Sequence, residues 1–347
     1  GKRAGFSGTR SGLFMEQVRI VKEMREKYGK PRYMVWENVP GAFSSNKGED
    51  FRVVLEEIAR IVDESVSVPR PPKDRWAYAG CIMGDGYSIA WRTHDAQFWG
   101  VPQRRRRIAL VADFGGESAP EILFEREGLR GDTETCGNPR KRAAGGTEGD
   151  TDQTVRYRVN HVDMVMCYDM THANDVIRES GDISPTLQSR MGTGGNQIPL
   201  CIGNGQIGQL YASDKVGALD CMHDQKCVMS DSVIRRLTPL ECERLQGLPD
   251  RWTDIGDWVD SKGKKHRDAD MPRYKAIGNS IAIPFWLWML RRMSEYLPDK
   301  ATMGSLFDGI GAFPLCWEMA NGTGTARWAS EIEEFPIAVT KFHFGDK

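Results

Sequence analysis

A glycine-punctuated turn near the end of the chain, set between two short apolar runs, restricts the fold more than any other feature. Gly304-Ser-Leu-Phe307 reads as a short strand, Asp308-Gly309-Ile-Gly311-Ala312 as a tight turn, and Phe313 to Met319 as the start of a helix. Ala326 to Ser330 forms a second strand with Glu331 at its end, 20 positions after Gly311. In a βαβ unit of this kind the glycines lie where backbone must approach a ligand, and the acid lies where ribose hydroxyls bind. The turn carries GxG without the longer dinucleotide pattern, so NAD is not favoured. A ligand with a ribose and no pyrophosphate, S-adenosylmethionine, fits better. The same turn would also serve a plain α/β connection with no ligand.

Upstream, apolar residues recur near helical spacing at Phe14, Val18, Val21 and Met24, and again at Val54, Leu55, Ile58 and Ile61. The runs Tyr33 to Trp36, Tyr87 to Trp91 and Ile108 to Ala112 read as buried strands. Alternation of strand and helix predicts an α/β, Rossmann-like fold with a parallel sheet covered on both faces. From Gly115 to Gln153 the chain is rich in Gly, Arg, Glu and Thr, which is loop composition. Short strand-like pieces then run to about Ser230, predicting a second, smaller, irregular β-rich domain. Helix returns at Pro239 to Gln246 and at Ile281 to Tyr296.

Bulk properties exclude little. Net charge is -1, from 47 basic and 48 acidic residues, so any nucleic-acid contact must come from local patches such as Arg104 to Arg107. The 8 cysteines show no CxxC pair, so no metal site is expected, and reduced thiols fit a cytoplasm. The longest apolar run, Ile281 to Leu290, is too short to cross a bilayer, and the start of the chain has no signal-peptide pattern.

Five blocks together resemble the DNA (cytosine-5)-methyltransferases. Phe307-Asp-Gly-Ile-Gly311 with Glu331 is similar to the family's S-adenosylmethionine loop. Glu37-Asn38-Val39 matches its ENV motif. Gln103-Arg-Arg105-Arg-Arg107, after Phe98-Trp-Gly-Val-Pro102, matches QxRxR. Arg236 to Gly247 is similar to the block after the recognition domain, and Gly278-Asn279-Ser280 resembles GNS. The order is rotated, with GNS ahead of the cofactor loop. The resemblance therefore implies a circular permutation opened just after the catalytic loop. It divides the chain into a catalytic domain's first part (1–114), a target-recognition domain with linker (115–230), a closing catalytic segment (231–298) and a cofactor-binding segment (299–347). None of the 8 cysteines stands in the family's Pro-Cys setting, so the catalytic cysteine is expected to lie outside these residues.

The resemblance also assigns roles. S-adenosylmethionine would be held by Phe307, Gly309, Gly311, Glu331 and Ile332, with Asn279 and Ser280 closing around its methionine end. A thiolate adds to carbon 6 of a flipped-out cytosine so that carbon 5 can take the methyl group. Glu37 is then the proton source at ring nitrogen 3, and Arg105 the partner of the base carbonyl and of the Glu37 carboxylate. On a strand Arg105 and Arg107 share one face and Arg104 and Arg106 the other, and one face alone can line the pocket. Gln103, Arg107, Thr186, Leu187 and Arg190 are the DNA-contacting candidates. The expected partner is double-stranded DNA, bound by a monomer in a bacterial or phage-infected cell, with a second chain as one source of the Pro-Cys loop. Two other readings stay open: an inactive DNA- and cofactor-binding remnant, and an amino-group methyltransferase. The second lacks the Asn/Asp-Pro-Pro-aromatic motif that its chemistry wants.

Overall fold

The computed structural model describes residues 9–124, 166–169, 178–181, 186–187, 200–203 and 233–346. Helix α1 (Thr9–Tyr28) leads into β1 (Tyr33–Asn38), and α2 (Glu49–Ala59) follows. Strands β2 (Ala79–Gly84), β3 (Tyr87–Asp95) and β4 (Arg106–Asp113) complete a four-stranded sheet in the order β1-β4-β3-β2. Every pairing in it is antiparallel. This corrects the parallel sheet expected from the strand–helix alternation. β2 and β3 are joined by the tight turn Asp85-Gly86, with Gly86 at φ 73°. β3 and β4 are joined by residues 96–105 with only one short 3-10 turn, and a parallel connection needs a longer crossover. Among the described residues, parallel pairing is confined to β11 (Met303–Leu306) and β12 (Ala326–Ser330), the predicted βαβ unit.

Strand β4 shows why the sheet lies at the centre. Ile108, Leu110 and Ala112 pack into one apolar cluster, while Ala109 and Val111 pack into another. Successive side chains on a strand point to opposite faces, so the unbroken apolar run means that both faces are covered. One face receives Phe14, Val18 and Val21 of α1 and Phe51, Val54, Leu55 and Ile58 of α2. The other receives the short helix α3 (Ala119–Leu123), which continues the first catalytic segment past residue 114, together with two later helices. Full burial of each such Leu, Ile or Phe contributes roughly 1.5–3 kcal/mol. At the edge of this core the Arg32 guanidinium is paired with Asp113 at 3.0 Å. Burial alone would raise the Asp113 carboxyl, but hydrogen bonds from Arg32 and Ser118 outweigh it and hold that carboxyl below its ordinary range.

A second sheet, order β6-β5-β7-β8, is built from β5 (Met166–Asp169), β6 (Arg178–Gly181), β7 (Leu200–Gly203) and β8 (Val233–Arg236). Its first three strands fall within the stretch where strand-like pieces are expected, and β8 pairs with β7 beyond residue 230. Helix α4 (Pro239–Gln246) starts at once, with a Thr238–Glu241 capping box, Pro239 in the first turn, and Gly247 in the left-handed conformation at its end. The small strands β9 (Trp258–Val259) and β10 (Lys265–His266) follow. Helices α5 (Asp270–Asn279), α6 (Ile283–Ser294), α7 (Ala312–Asn321) and α8 (Glu334–Phe344) frame the final βαβ unit. Among the described residues no helix is long and apolar enough to cross a membrane.

Candidate active site

The turn between β11 and α7 is held open from below. Asp308 is buried and accepts from the Ser305 hydroxyl at 2.5 Å, while its own N–H donates to the Ser330 carbonyl of β12 at 3.0 Å. Three consecutive odd positions, Phe307, Gly309 and Gly311, adopt positive φ of 57°, 62° and 78°. A non-glycine residue in that region is strained, and such strain collects where a loop serves a ligand. At Gly311 glycine is required, since an added Cβ would meet the Phe344 ring at 2.7 Å. Above Gly309 there is open space, with nothing within 4 Å of an added Cβ.

Glu331 closes the loop. Its carboxylate accepts from the N–H groups of Gly309 (2.7 Å), Ile332 (2.6 Å) and Glu333 (3.0 Å). A carboxylate has about four acceptor positions, so one oxygen lone pair remains for a ribose hydroxyl. The apolar side chains of Phe307 and Ile332 stand 42% and 83% exposed near these strand ends. Open glycine backbone, an acceptor with spare capacity and two uncovered apolar side chains fit an adenosine-containing ligand. Asn279 is exposed at the end of α5. Ser280 is buried, and its backbone carbonyl is already engaged.

Glu37 and Arg107 form the second feature. β1 carries Glu37 opposite Ala109 of β4, and the Arg107 guanidinium reaches it at 2.9 Å. Burial lowers the Arg107 pKa, and Glu37 partly restores it. Opposite Arg107 in register lies His94 of β3, stacked on Phe285 at 3.6 Å. Burial, then the charges of Arg107, Arg92 and Arg105, push its pKa down from 6.5 to about 3, so the imidazole is neutral.

The expected contact between Arg105 and the Glu37 carboxylate is made instead by Arg107. Arg105 does not meet Glu37. It is fully buried, and its guanidinium donates to the carbonyls of Leu187 (2.9 Å), Gly278 (3.1 Å) and Ser280. Gln103 is buried beside it, bonded to the Leu245 carbonyl at 2.8 Å and to the Leu187 N–H at 3.4 Å. The Thr186 hydroxyl donates to the Arg104 carbonyl, and Leu187 packs with Leu237, Leu245, Tyr274 and Ile277. Gln103, Arg105 and Leu187 therefore form a buried joint between the lobe and the GNS turn rather than a DNA-facing surface. The physical reason is depth: Arg105 lies under the loop that brings the lobe back, whereas Arg107 lies at the strand beside β1. Arg190 lies outside the described residues. The joint's remaining member, Asp95, was not a sequence candidate. Its carboxylate accepts from the Arg105 N–H at 2.9 Å.

Glu37, Asn38 and Val39 share one cavity with Ser305, Leu306 and Phe307. The ENV strand and β11 with Phe307 at its end, at opposite ends of the polypeptide, thus line one cavity, whereas Gly309, Gly311 and Glu331 do not line it. Cys316 is fully buried, with its thiol pushed far up by burial, and Cys242 is buried in the joint's apolar cluster. Neither has the exposure of a nucleophile, and Cys81 is exposed on β2. Among the described residues no cluster of His, Cys, Asp and Glu could hold a metal.

A glycine turn on a parallel strand pair with an acid at the neighbouring strand end fits the α/β fold of a methyltransferase. The family profile of the C-5 cytosine-specific DNA methylases matches residues 1–61 and 82–294. The chain belongs to that family, whose members take their methyl group from S-adenosylmethionine. Relatives include a protein of Escherichia phage P1 named DNA N-6-adenine-methyltransferase, 27% identical over 85% of this chain and 50% of that protein. The type II methyltransferase M2.BsuMI of Bacillus subtilis is 22% identical over 99% of this chain and 66% of its own length. M.Bsp6I of Bacillus sp. is 24% identical over 85% and 73%. The chain spans about half the length of the phage P1 relative.

Proposed function

We propose that this chain provides the cofactor loop, base pocket and recognition lobe of a DNA (cytosine-5)-methyltransferase. In this reading a methyl group passes from S-adenosylmethionine to carbon 5 of a flipped-out cytosine in double-stranded DNA. The observation that carries the reading is Glu37, paired with Arg107 at 2.9 Å and lining the cavity that Phe307 also lines at the end of β11. Phe307, Gly309, Glu331 and Ile332 hold the cofactor, which supplies an electrophilic methyl group.

Glu37 engages ring nitrogen 3 and the exocyclic amine of cytosine, and Arg107 engages the carbonyl oxygen. A cysteine thiolate forms its bond to carbon 6, and the charge driven toward nitrogen 3 is met by the Glu37 proton. Carbon 5 then takes the methyl. Loss of the carbon 5 proton to solvent, expulsion of the thiolate and return of the nitrogen 3 proton to Glu37 restore the ring. The thiolate comes from a Pro-Cys segment outside these residues, as continuing chain in a rotated gene order or as a second polypeptide.

The phage P1 relative's name raises adenine as the alternative target. No Asn/Asp-Pro-Pro-aromatic run stands in this sequence, which favours cytosine. Nucleoside mass spectrometry on DNA from cells carrying the gene with its flanking sequence tests the choice. The expected product is 5-methylcytosine; N6-methyladenine in its place would overturn the assignment.

A further inference from the structure

The glycine turn after β11 is gripped along one side by residues distant in sequence. The Gly309 carbonyl accepts from the Thr340 hydroxyl of α8 at 3.2 Å, and the Phe344 ring of the same helix lies against Gly311. Between these contacts the Ile310 carbonyl accepts the indole N–H of Trp252 at 2.8 Å, from 58 positions earlier in the chain. Trp252 and Ile310 are both buried, so water does not stand in for this bond.

The loop that carries Trp252 is fixed to α4 on both sides of the indole. Arg244 donates to the Asp250 carboxylate through two hydrogen bonds of 2.8 and 2.6 Å. The buried Glu243 carboxylate accepts from the Thr253 N–H at 2.9 Å and from the Thr253 hydroxyl. Arg273 of α5 donates to that hydroxyl oxygen at 3.1 Å. Between the two anchors Arg251 takes a positive φ of 61°, a conformation that persists only where its surroundings over-determine it. The indole is also stacked on the His343 ring of α8, with centroids 3.6 Å and planes 2° apart. His343 Nε2–H in turn donates to the Trp252 carbonyl at 2.7 Å.

These contacts give the indole N–H a set direction, and that direction matters for the turn. A peptide unit is planar and trans, so the Gly311 N–H points opposite to the Ile310 carbonyl, and the Ile310 N–H opposite to the Gly309 carbonyl. Holding both carbonyls toward Trp252 and α8 turns both N–H groups away from the packed side. An apolar ring at position 252 would fill the same space and leave the Ile310 carbonyl without its donor.

We propose that Trp252 is a positioning residue for the cofactor turn: its indole N–H sets the Ile310–Gly311 peptide in the orientation that receives S-adenosylmethionine. The ligand rests on the methyltransferase reading, whereas the grip on the turn rests on the contacts alone.

The test compares the 347-residue chain with Trp252→Phe and with Trp252→β-(3-benzothienyl)alanine. In the second variant sulfur replaces the indole N–H and the bicyclic ring keeps its stack on His343, so it decides the matter where Trp252→Phe does not fold. The matched control is Trp76→Phe, which deletes an indole bond of the same kind, 2.9 Å to the Gly48 carbonyl, in the cluster around α2. S-adenosylhomocysteine affinity, by calorimetry, is expected to fall about tenfold in both Trp252 variants and to stay at the parental value in the control. Without ligand, hydrogen-exchange mass spectrometry should show residues 304–313 exchanging about tenfold faster in both variants, while 106–113 of β4 keeps its parental protection. Parental affinity in the benzothienyl variant would overturn the proposal, whether or not the turn loosens. So would weaker binding with faster exchange across β4, or an equal loss in the Trp76 control, since the indole would then serve general stability. A parental chain that binds no S-adenosylhomocysteine, yet loosens at 304–313 when the N–H is removed, would leave the grip standing and count against the cofactor reading.

Discussion

Replacing Arg105 separates the value of a charge from the value of a shape. Burial, together with neighbouring Arg107, pushes its pKa from 12.5 to about 9, a penalty on the charged form of roughly 5 kcal/mol. Against this stand three carbonyl acceptors, on Leu187, Gly278 and Ser280. Each costs about 1–3 kcal/mol when left unpaired. Arg105→Met keeps much of the volume, removes the buried charge and strands the carbonyls. The two terms oppose, and the net loss is expected to be about 1–2 kcal/mol. Arg105→Lys retains the burial penalty yet brings a compact ammonium in place of the planar fork, so it serves one of the three carbonyls. Its expected loss is about 3 kcal/mol or more. The chemically closer substitution is thus the more damaging one. Urea denaturation at pH 6.5, followed by tryptophan fluorescence, measures both. A lysine variant at parental stability beside a collapsed methionine variant would show that the charge, not the fork, holds the joint.

Three further outcomes follow from the site. His94 is neutral in the fold, with its pKa lowered to about 3, while the unfolded chain takes up a proton below about 6.5. Stability should therefore fall as pH drops through 6.5 toward 3, by about 2 kcal/mol at pH 5 relative to pH 7. In His94→Gln that decline should flatten, as read by denaturation at the two pH values. Glu37→Gln preserves size but removes the carboxyl group and its ion pair with Arg107. In the active assembly kcat should fall about 10²–10⁴-fold with little change in KM for DNA, measured by labelled-methyl incorporation. Gly311→Ala forces a side chain into a φ of 78° and against Phe344, and should cost about 1–3 kcal/mol and weaken S-adenosylhomocysteine binding by calorimetry.

The sequence exposed what lies in local spacing and concealed what depends on depth and edges. The glycine turn and Glu331 were legible because a βαβ ligand loop needs its residues in fixed order along a short stretch. Glu37 was legible because it follows an apolar strand in a recognisable block. Strand alternation puts Arg105 and Arg107 on one side, but β4 starts only at Arg106, and alternation could not say which of them lies under residues 186–187. That depends on Leu187, 82 positions away, and on the GNS turn, further still, so the Glu37 contact expected of Arg105 falls to Arg107. The antiparallel order of β1, β4 and β3 was hidden for a related reason. Apolar runs report that both faces are covered, and β4 confirms it, but they carry no information about the direction of the neighbour. Edges are the least visible feature, since a strand with one open edge and a strand with none share the same side-chain pattern. Val35 and Leu306 look like interior strand residues in the sequence. Their open edges come to light only when both are found lining one cavity with Glu37 and Phe307.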